Sequence, residues 1–385
     1  MKALAASDAG QRRTLVRVAV IRRRKPRTVR DVLNGLGLSA EAIEEAERAG
    51  TDELLAIDAV VLPERGKFTL EELADKVDAD VAVIQAFWRA LGFVDAVDGE
   101  RSFNKRDVAI LKSLVELTAS GIVNHDVALQ VARVVGLSMA QVATAVMDAG
   151  ADRAGQRREI AAGGDASAIA EYDAGSLAVR AGDLLPFMTD VIDYSFRRHL
   201  RAAARRRVVL ADSEGGETQV VGFADLVRFT ELSLQLDDHE LNELVGRFDR
   251  LVNAVVVGQG GRIVKMIGDA AMFAVVGPVQ AGLVALELSE AVARDEQMGG
   301  LRIGMASGPA LARDGDLYGP VVNVASRLGT IGRAGAVNVS QSLRDAIAAD
   351  PRFSLRSLGE RRLRHIGDVR VYRLRPGPAW TTTNA

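Results

Sequence analysis

The sequence predicts a multidomain protein, an all-α N-terminal part followed by an α+β C-terminal part. Three observations carry this. Helical spacing of apolar residues recurs from Asp31 to about residue 148. After Val208 strand-length apolar runs alternate with amphipathic ones in the order strand–helix–strand–strand–helix–strand, the order of a mostly antiparallel sheet with helices over one face. The chain has 385 residues, room for two or three domains at roughly 100–200 each, and 48% apolar content fills their cores.

The N-terminal part is expected to be a helical domain over residues 1–150. Helical periods run through Leu70–Val77, Val81–Leu91, Val108–Leu117, Val127–Val135 and Met139–Met147. Thr69 followed by Glu72 predicts a capping box, each side chain accepting from the other's backbone N–H. Residues 151–207 are expected to form a loop and a helical linker. The stretch AGQRREIAAGGDAS lacks periodicity and reads as loop; helical pattern resumes at Ile169, breaks or kinks near Pro186 and continues to about Arg207. Its end, SFRRHLRAAARRR, carries six arginines and no acid. That run fits a solvated helix face, a switch against acids of the C-terminal part, or a contact with anionic lipid.

Residues 208–375 are expected to form the C-terminal domain, with a flexible tail at 376–385. ETQVVGFAD reads as a strand entering a loop. Leu241, Leu244, Val245, Phe248, Leu251, Val252 and Val255 mark an amphipathic helix. RIVKMI and AAMFAVV flank Gly268-Asp269, and a two-residue link opening with Gly between apolar strands predicts a hairpin. A helix from Pro278 to Ala293, a strand LRIGMASG, a helix opening at Gly319-Pro320 and a strand VNVS complete the order.

Composition excludes several function classes. Lys plus Arg total 49 against 51 Asp plus Glu, so no global charge drives the chain to nucleic acid or an anionic membrane. The absence of cysteine removes disulfide scaffolds, thiol nucleophiles, thiolate zinc sites and iron–sulfur clusters, and fits a reducing compartment. No apolar run approaches the roughly 18 residues of a spanning helix. The basic residues from Arg12 to Arg30 are not followed by an apolar stretch and cleavage site, so no secretory signal is expected. The expectation is a cytoplasmic chain.

Chemistry gathers in the C-terminal part. Asp225 falls where a strand ends and Asp269 on a hairpin tip, and two carboxylates at strand ends can hold hard divalent cations through oxygen. The same pair fits ordinary turn aspartates, and spacing leaves both readings open. In GDLYGPVVNVASRL, Pro320 suits the first turn of a helix, which puts Asn323 and Arg327 on one face at i and i+4. An amide and a guanidinium there suit a sugar oxygen and a phosphate, or a solvated surface.

The words around these residues say more than their spacing. VGFADLVRFTEL, RIVKMIGDAAMF and GDLYGPVVNVASRL, in this order within residues 217–374, resemble the catalytic domain of class III nucleotidyl cyclases. The resemblance implies a ferredoxin-like α+β fold and conversion of ATP to 3′,5′-cyclic AMP and pyrophosphate. It implies that Asp225 and Asp269 bind two divalent cations, Mg²⁺ or Mn²⁺, and that Lys265 and Asp316 select the base. Asn323 would orient the ribose and Arg327 stabilise the transition state. Arg364, in LRHIGDV, stands where relatives often carry a lysine on the terminal phosphates, with His365 in place of a small residue. The resemblance also implies a homodimer, metal aspartates of one subunit facing the base, ribose and transition-state residues of another.

Donors and acceptors bear on the base. Adenine offers an acceptor at N1 and a donor at N6, matching the donor-only Lys265 and the acceptor-only ionised Asp316. Guanine reverses that edge, so a guanylyl cyclase, the alternative, would want an acid at position 265. A non-catalytic ligand- or DNA-responsive regulator on the same fold, the alternative of another class, has no need of all six residues.

In the N-terminal part, KFTLEELADKVDADVAVIQAFWRALGF followed by RSFNKRDVAIL resembles the winged helix-turn-helix of MerR-type regulators. Seven basic and nine acidic residues lie between Lys67 and Lys112, so stable nucleic-acid binding is not expected. The region also resembles the N-terminal regulatory domain of actinobacterial-type cyclases, which implies control of the catalytic dimer, with pH as the candidate stimulus. His199, within the arginine-rich segment, motivates that idea, although its flanking arginines disfavour its protonation. His125 reads as a helix-start or packing residue and His239 as surface. The stretch RRTLVRVAVIRRRKPRTVR is expected to pack its apolar stripe on the helices, with membrane-surface contact as the alternative.

Overall fold

The computed structural model describes residues 29–62, 64–161, 175–211 and 218–381. The basic stretch before Val29, the expected loop beyond Ala161 and the last four residues of the expected tail lie outside the described residues. The chain divides into two compact units, Met1–Ser195 and Phe196–Ala385.

The first unit is helical: α1 (Val29–Gly35), α2 (Ala40–Ala49), α3 (Asp52–Val61), α4 (Leu70–Val77), α5 (Val81–Ala90), α6 (Lys105–Ala119) and α7 (His125–Ala161). The capping box forms: the Glu72 N–H donates to Thr69 Oγ1 at 3.3 Å and the Thr69 N–H to Glu72 Oε2 at 3.2 Å. Asn104 and Asp107 open α6 in the same way. Asp78, left-handed at φ 59°, turns the chain from α4 into α5. Leu73, Ile84, Phe87, Phe103 and Leu111 interlock with Ala128 and Ala132 of α7. Each large apolar side chain so buried stabilises by roughly 1.5–3 kcal/mol.

Helix α7 corrects two expectations. Val127–Val135, Met139–Met147 and the start of the expected loop are one helix. No proline interrupts it, and the Ala, Gln, Arg and Glu of residues 151–161 are good helix formers whose lack of periodicity hid them. Within it His125–Asp148 is long and apolar enough, by length and composition, to cross a membrane. Gln130, Arg133 and Gln141 break the run without lowering its mean hydropathy enough, while Ala128 and Ala132 face the core. Helix α8 (Gly175–Ala211) runs unbroken through Pro186 and crosses the division between the units. A proline removes one backbone donor, and in a helix of 37 residues the remaining ladder carries it.

The second unit runs β1 (Thr218–Leu226), α9 (Phe229–Ser233), α10 (Asp238–Gly258), β2 (Arg262–Ile267), β3 (Ala270–Val275), α11 (Pro278–Arg294), β4 (Leu301–Pro309), β5 (Leu311–Arg313) and β6 (Asp316–Tyr318). It continues with α12 (Pro320–Thr330), β7 (Ala336–Ser340), α13 (Gln341–Ile347), β8 (Phe353–Leu363) and β9 (Gly367–Pro376). The main sheet has the order β2-β3-β1-β4-β7-β9-β8, antiparallel throughout except between β4 and β7. Its β2-β3-β1-β4 half with α10 and α11 is the expected ferredoxin-like arrangement.

Strand alternation separates two faces. Val220 and Ala224 of β1 pack with Phe248 and Val252 of α10 and Leu288 of α11. Val221 faces the other way, with Met272, Ala306 and the α12 residues Val321 and Ala325. The expectation of helices over one face therefore holds for α10 and α11 but not for α12. Backbone contact seats α12: a Cβ on Gly304 of β4 would lie 2.0 Å from the Gly329 nitrogen. The expected tail is tied down at its start, where the Gly377 N–H donates to the Arg352 carbonyl at 2.8 Å and Trp380 packs on the core.

Candidate active site

Asp225 is the penultimate residue of β1, paired with Ala270 of β3 on one side and Arg302 of β4 on the other. Its neighbours Ala224 and Leu226 face the α10–α11 core, so its carboxylate lies on the α12 face of the sheet. Asp269 occupies the β2–β3 turn behind Gly268, whose φ of 60° is the left-handed conformation that a tight hairpin needs. The Leu226 N–H donates to the Asp269 carbonyl at 3.1 Å, tying the turn to the end of β1 and bringing both aspartates to one place.

Arg302, which the sequence reading did not single out, completes this corner. Its Nε donates to Asp225 Oδ2 at 2.7 Å, and its second guanidinium nitrogen lies 2.5 Å from the same oxygen. Burial pushes the Asp269 carboxyl up; its own backbone hydrogen bond and Arg302 oppose this, and the Asp225 charge adds to it. A cation between the two carboxylates would relieve that penalty. Among the described residues no group of three or more His, Asp or Glu that could hold a metal gathers, so a cation here would take two carboxylates from this chain. That donor set fits Mg²⁺, which commonly takes one or two carboxylates and completes its shell with water and substrate phosphates.

Lys265 of β2 and Asp316 of β6 meet directly, Nζ to Oδ2 at 2.5 Å, while Asp316 Oδ1 accepts from the Leu317 N–H at 2.8 Å. Burial pushes the Asp316 carboxyl up, but the bonds from Lys265 and Leu317 outweigh it and hold the group below the usual carboxylate range. Their side chains are 45% and 21% exposed. A pair that open is worth about 0–1 kcal/mol, so a ligand can part it at little cost.

Asn323 and Arg327 share one face of α12, and both are exposed. Val321, Ala325, Leu328 and Gly329 are the buried positions of that helix. At about 100° per residue the two polar side chains lie on roughly the opposite side, pointing away from the sheet. Arg364 sits in the β8–β9 turn. Strand β8 is the sheet edge four strands from β1, about 19 Å at the usual strand spacing. Leu363 and Ile366, on either side of Arg364, pack with Leu328 and Val324 of α12. The structure thus makes three groupings: Asp225 with Asp269 and Arg302, Lys265 with Asp316, and Asn323 with Arg327 beside the Arg364 turn. Among the histidines, the His125 ring packs edge-on to Phe87 at 5.3 Å, and His199 and His239 are exposed.

Fold and site together define a nucleotidyl cyclase catalytic domain, and residues 213–376 match the family described as adenylate and guanylate cyclase catalytic domain. An adenylate cyclase of Streptomyces coelicolor is 32% identical over 310 residues, 80% of this chain and 79% of that protein. One from Streptomyces griseus is 34% identical over 293 residues, 75% of this chain and 71% of that protein. A pH-sensitive adenylate cyclase of Mycobacterium tuberculosis is 40% identical over 171 residues, 43% of each chain. Among solved structures, the catalytic core of a rhodopsin-guanylyl cyclase with converted specificity, in complex with ATPalphaS, is 25% identical. It covers 42% of this chain and 96% of that one, with a TM-score of 0.39. The chain belongs to the class III adenylate cyclases.

Proposed function

We propose that the chain converts ATP to 3′,5′-cyclic AMP and pyrophosphate at two equivalent sites shared between the subunits of a homodimer, in the cytoplasm where ATP is available. The observation that carries the base is the contact of Lys265 with Asp316, which sets a donor and an acceptor side by side to match adenine N1 and N6. Guanine would face two like groups. Asp225 and Asp269 would hold two divalent cations, Mg²⁺ or Mn²⁺, whose Lewis acidity serves the 3′-hydroxyl and the phosphate chain. Arg302 keeps the Asp225 carboxylate in place. Asn323 fixes the ribose so that its 3′-oxygen lies in line with the bond to the leaving pyrophosphate. Arg327 opposes charge that grows on the α-phosphoryl oxygens, and Arg364 meets the terminal phosphates.

Asn323 and Arg327 turn away from the sheet that carries their own chain's aspartates, which supports a site completed by a second copy. Residues 1–150 act as the regulatory domain, 151–207 as the linker and 208–375 as the catalytic domain, with pH as the candidate stimulus. The test is cyclic nucleotide formation by the full chain from ATP and from GTP, with Mg²⁺ and with Mn²⁺, between about pH 5.5 and 8. Cyclic AMP from ATP, in marked preference to cyclic GMP from GTP, is the expected result. Equal rates with both nucleotides would refute the base assignment, and no product under any condition would leave a non-catalytic regulator.

A further inference from the structure

Asp316 stands on the β5–β6 hairpin, whose strands have three residues each and form a two-stranded sheet of their own, outside the seven-stranded one. A hairpin that short is marginal by itself. Its turn, Asp314 at φ 56° and Gly315 at φ 82°, shapes the loop without fixing where the hairpin sits. Leu317 is anchored in the α12-side core. Among the described residues, two polar ties from outside the hairpin reach its turn end, and both come from β2: Lys265 to the Asp316 carboxylate, and Arg262 Nη1 to the Gly315 carbonyl at 3.2 Å.

Arg262 and Lys265 are three residues apart, and in a regular strand they would face opposite sides. A bulge prevents this. Ile263 pairs with Phe273 and Lys265 with Met272, so Val264 is an extra residue. Arg262, opposite Ala274, and Lys265, opposite Met272, therefore share the face of the α12-side core, where both partners pack. Both side chains reach the hairpin for that reason.

The two ties fare differently when substrate enters. Adenine between Lys265 and Asp316 replaces their direct contact, which leaves the Arg262 bond to hold the Gly315–Asp316 corner against β2. We infer that Arg262 is a positioning residue for base selection, fixing Asp316 through the Gly315 carbonyl so that the acceptor stays at the distance adenine requires. The inference rests on Lys265 and Asp316 being the base-selecting pair. Arg262 is kept in this position although burial and the nearby charge of Arg206 both oppose its own, with Asp316 the charge that favours it.

The test compares kcat and KM for ATP and GTP in the full-length wild type, Arg262→Met, Arg262→Lys and Lys265→Ala, with thermal melts of each. Methionine keeps an apolar stem and has no donor; lysine keeps a donor of shorter reach. Arg262→Met is expected to lower the ATP:GTP ratio of kcat/KM about tenfold through a raised KM for ATP, the loss that one misplaced hydrogen bond produces, with kcat for ATP little changed. Arg262→Lys is expected to fall between it and the wild type. An unchanged ratio in Arg262→Met, or equal losses for both nucleotides, would overturn the inference. Should Arg262→Met fail to fold, a wild-type ratio in Arg262→Lys would overturn it and a reduced ratio support it. Lys265→Ala separates the underlying reading: if it too leaves the ratio unchanged, the base-selecting assignment is what has failed.

Discussion

Mixing Asp225→Ala chains with Arg327→Ala chains tests the shared site most directly. Each variant alone lacks one member from both of its sites, and loss of a transition-state arginine costs about 10³-fold or more. The direction of α12 enters here. Asn323 and Arg327 oppose its buried positions, and in the proposed dimer each site takes its aspartates from one chain and its arginine from the other. In a heterodimer of the two variants one site collects both lesions and the other collects neither. Random pairing makes half the dimers heterodimers, so the mixture should recover about a quarter of wild-type activity at equal total chain. The converse mixture, wild type with the Asp225→Ala/Arg327→Ala double variant, has heterodimers with two dead sites. It should retain about a quarter of wild-type activity, against about a half if each chain held its own site. Cyclic AMP would be quantified after co-refolding or prolonged subunit exchange. No recovery in the first mixture together with half activity in the second would refute the shared site.

Other expectations follow from individual contacts. Lys265→Glu places an acceptor beside an acceptor, and kcat/KM for ATP should fall about 10²-fold or more relative to GTP, read from paired assays. Arg302→Ala leaves the half-buried Asp225 without its counter-charge; the melting temperature should fall by about 5 °C, from a loss of about 2 kcal/mol, and added Mg²⁺ should narrow the gap. Because burial of Asp316 is outweighed by its bonds from Lys265 and Leu317, its folded pKa is depressed. The stability it contributes is present above the ordinary carboxylate value and lost as pH falls through the depressed one. Asp316→Asn should therefore flatten the acid limb of urea midpoint against pH, by less than about 1 kcal/mol for so exposed a pair. Gly304→Ala forces a methyl to within 2.0 Å of the Gly329 backbone nitrogen. It should cost about 2 kcal/mol or more in urea unfolding, and displace α12 enough to lower kcat.

The catalytic fold was legible where periodicity and turn residues agree. RIVKMI and AAMFAVV flanking Gly268 gave a hairpin whose strands end within a residue of those expected, because a two-residue link leaves little freedom. Apolar period divides helix α7 into two helices and a loop, since it cannot register a run rich in Ala and Arg with a weak amphipathic stripe. The β5–β6 hairpin is not legible in the sequence because three-residue strands are too short to show alternation. Strands β8 and β9 show no clean alternation in the sequence because arginines recur along both, β8 closing the sheet edge and β9 lying beside it.

The candidate site residues divide by how they are connected. Asp225, Asp269, Lys265, Asp316, Asn323 and Arg327 are words in local motifs, so a single sequence displays them. Arg302 and Arg262 act through register, and register is a property of pairs of strands. Arg302 matters because β1 and β4 align it opposite Asp225, 77 residues away. Arg262 matters because one extra residue, Val264, turns it to the side of Lys265. A guanidinium among apolar strand residues is the signal that both offer, since burying it without a partner is costly. Such a residue announces that a partner exists, and strand pairing then names it: Asp225 for one and the Gly315 carbonyl for the other.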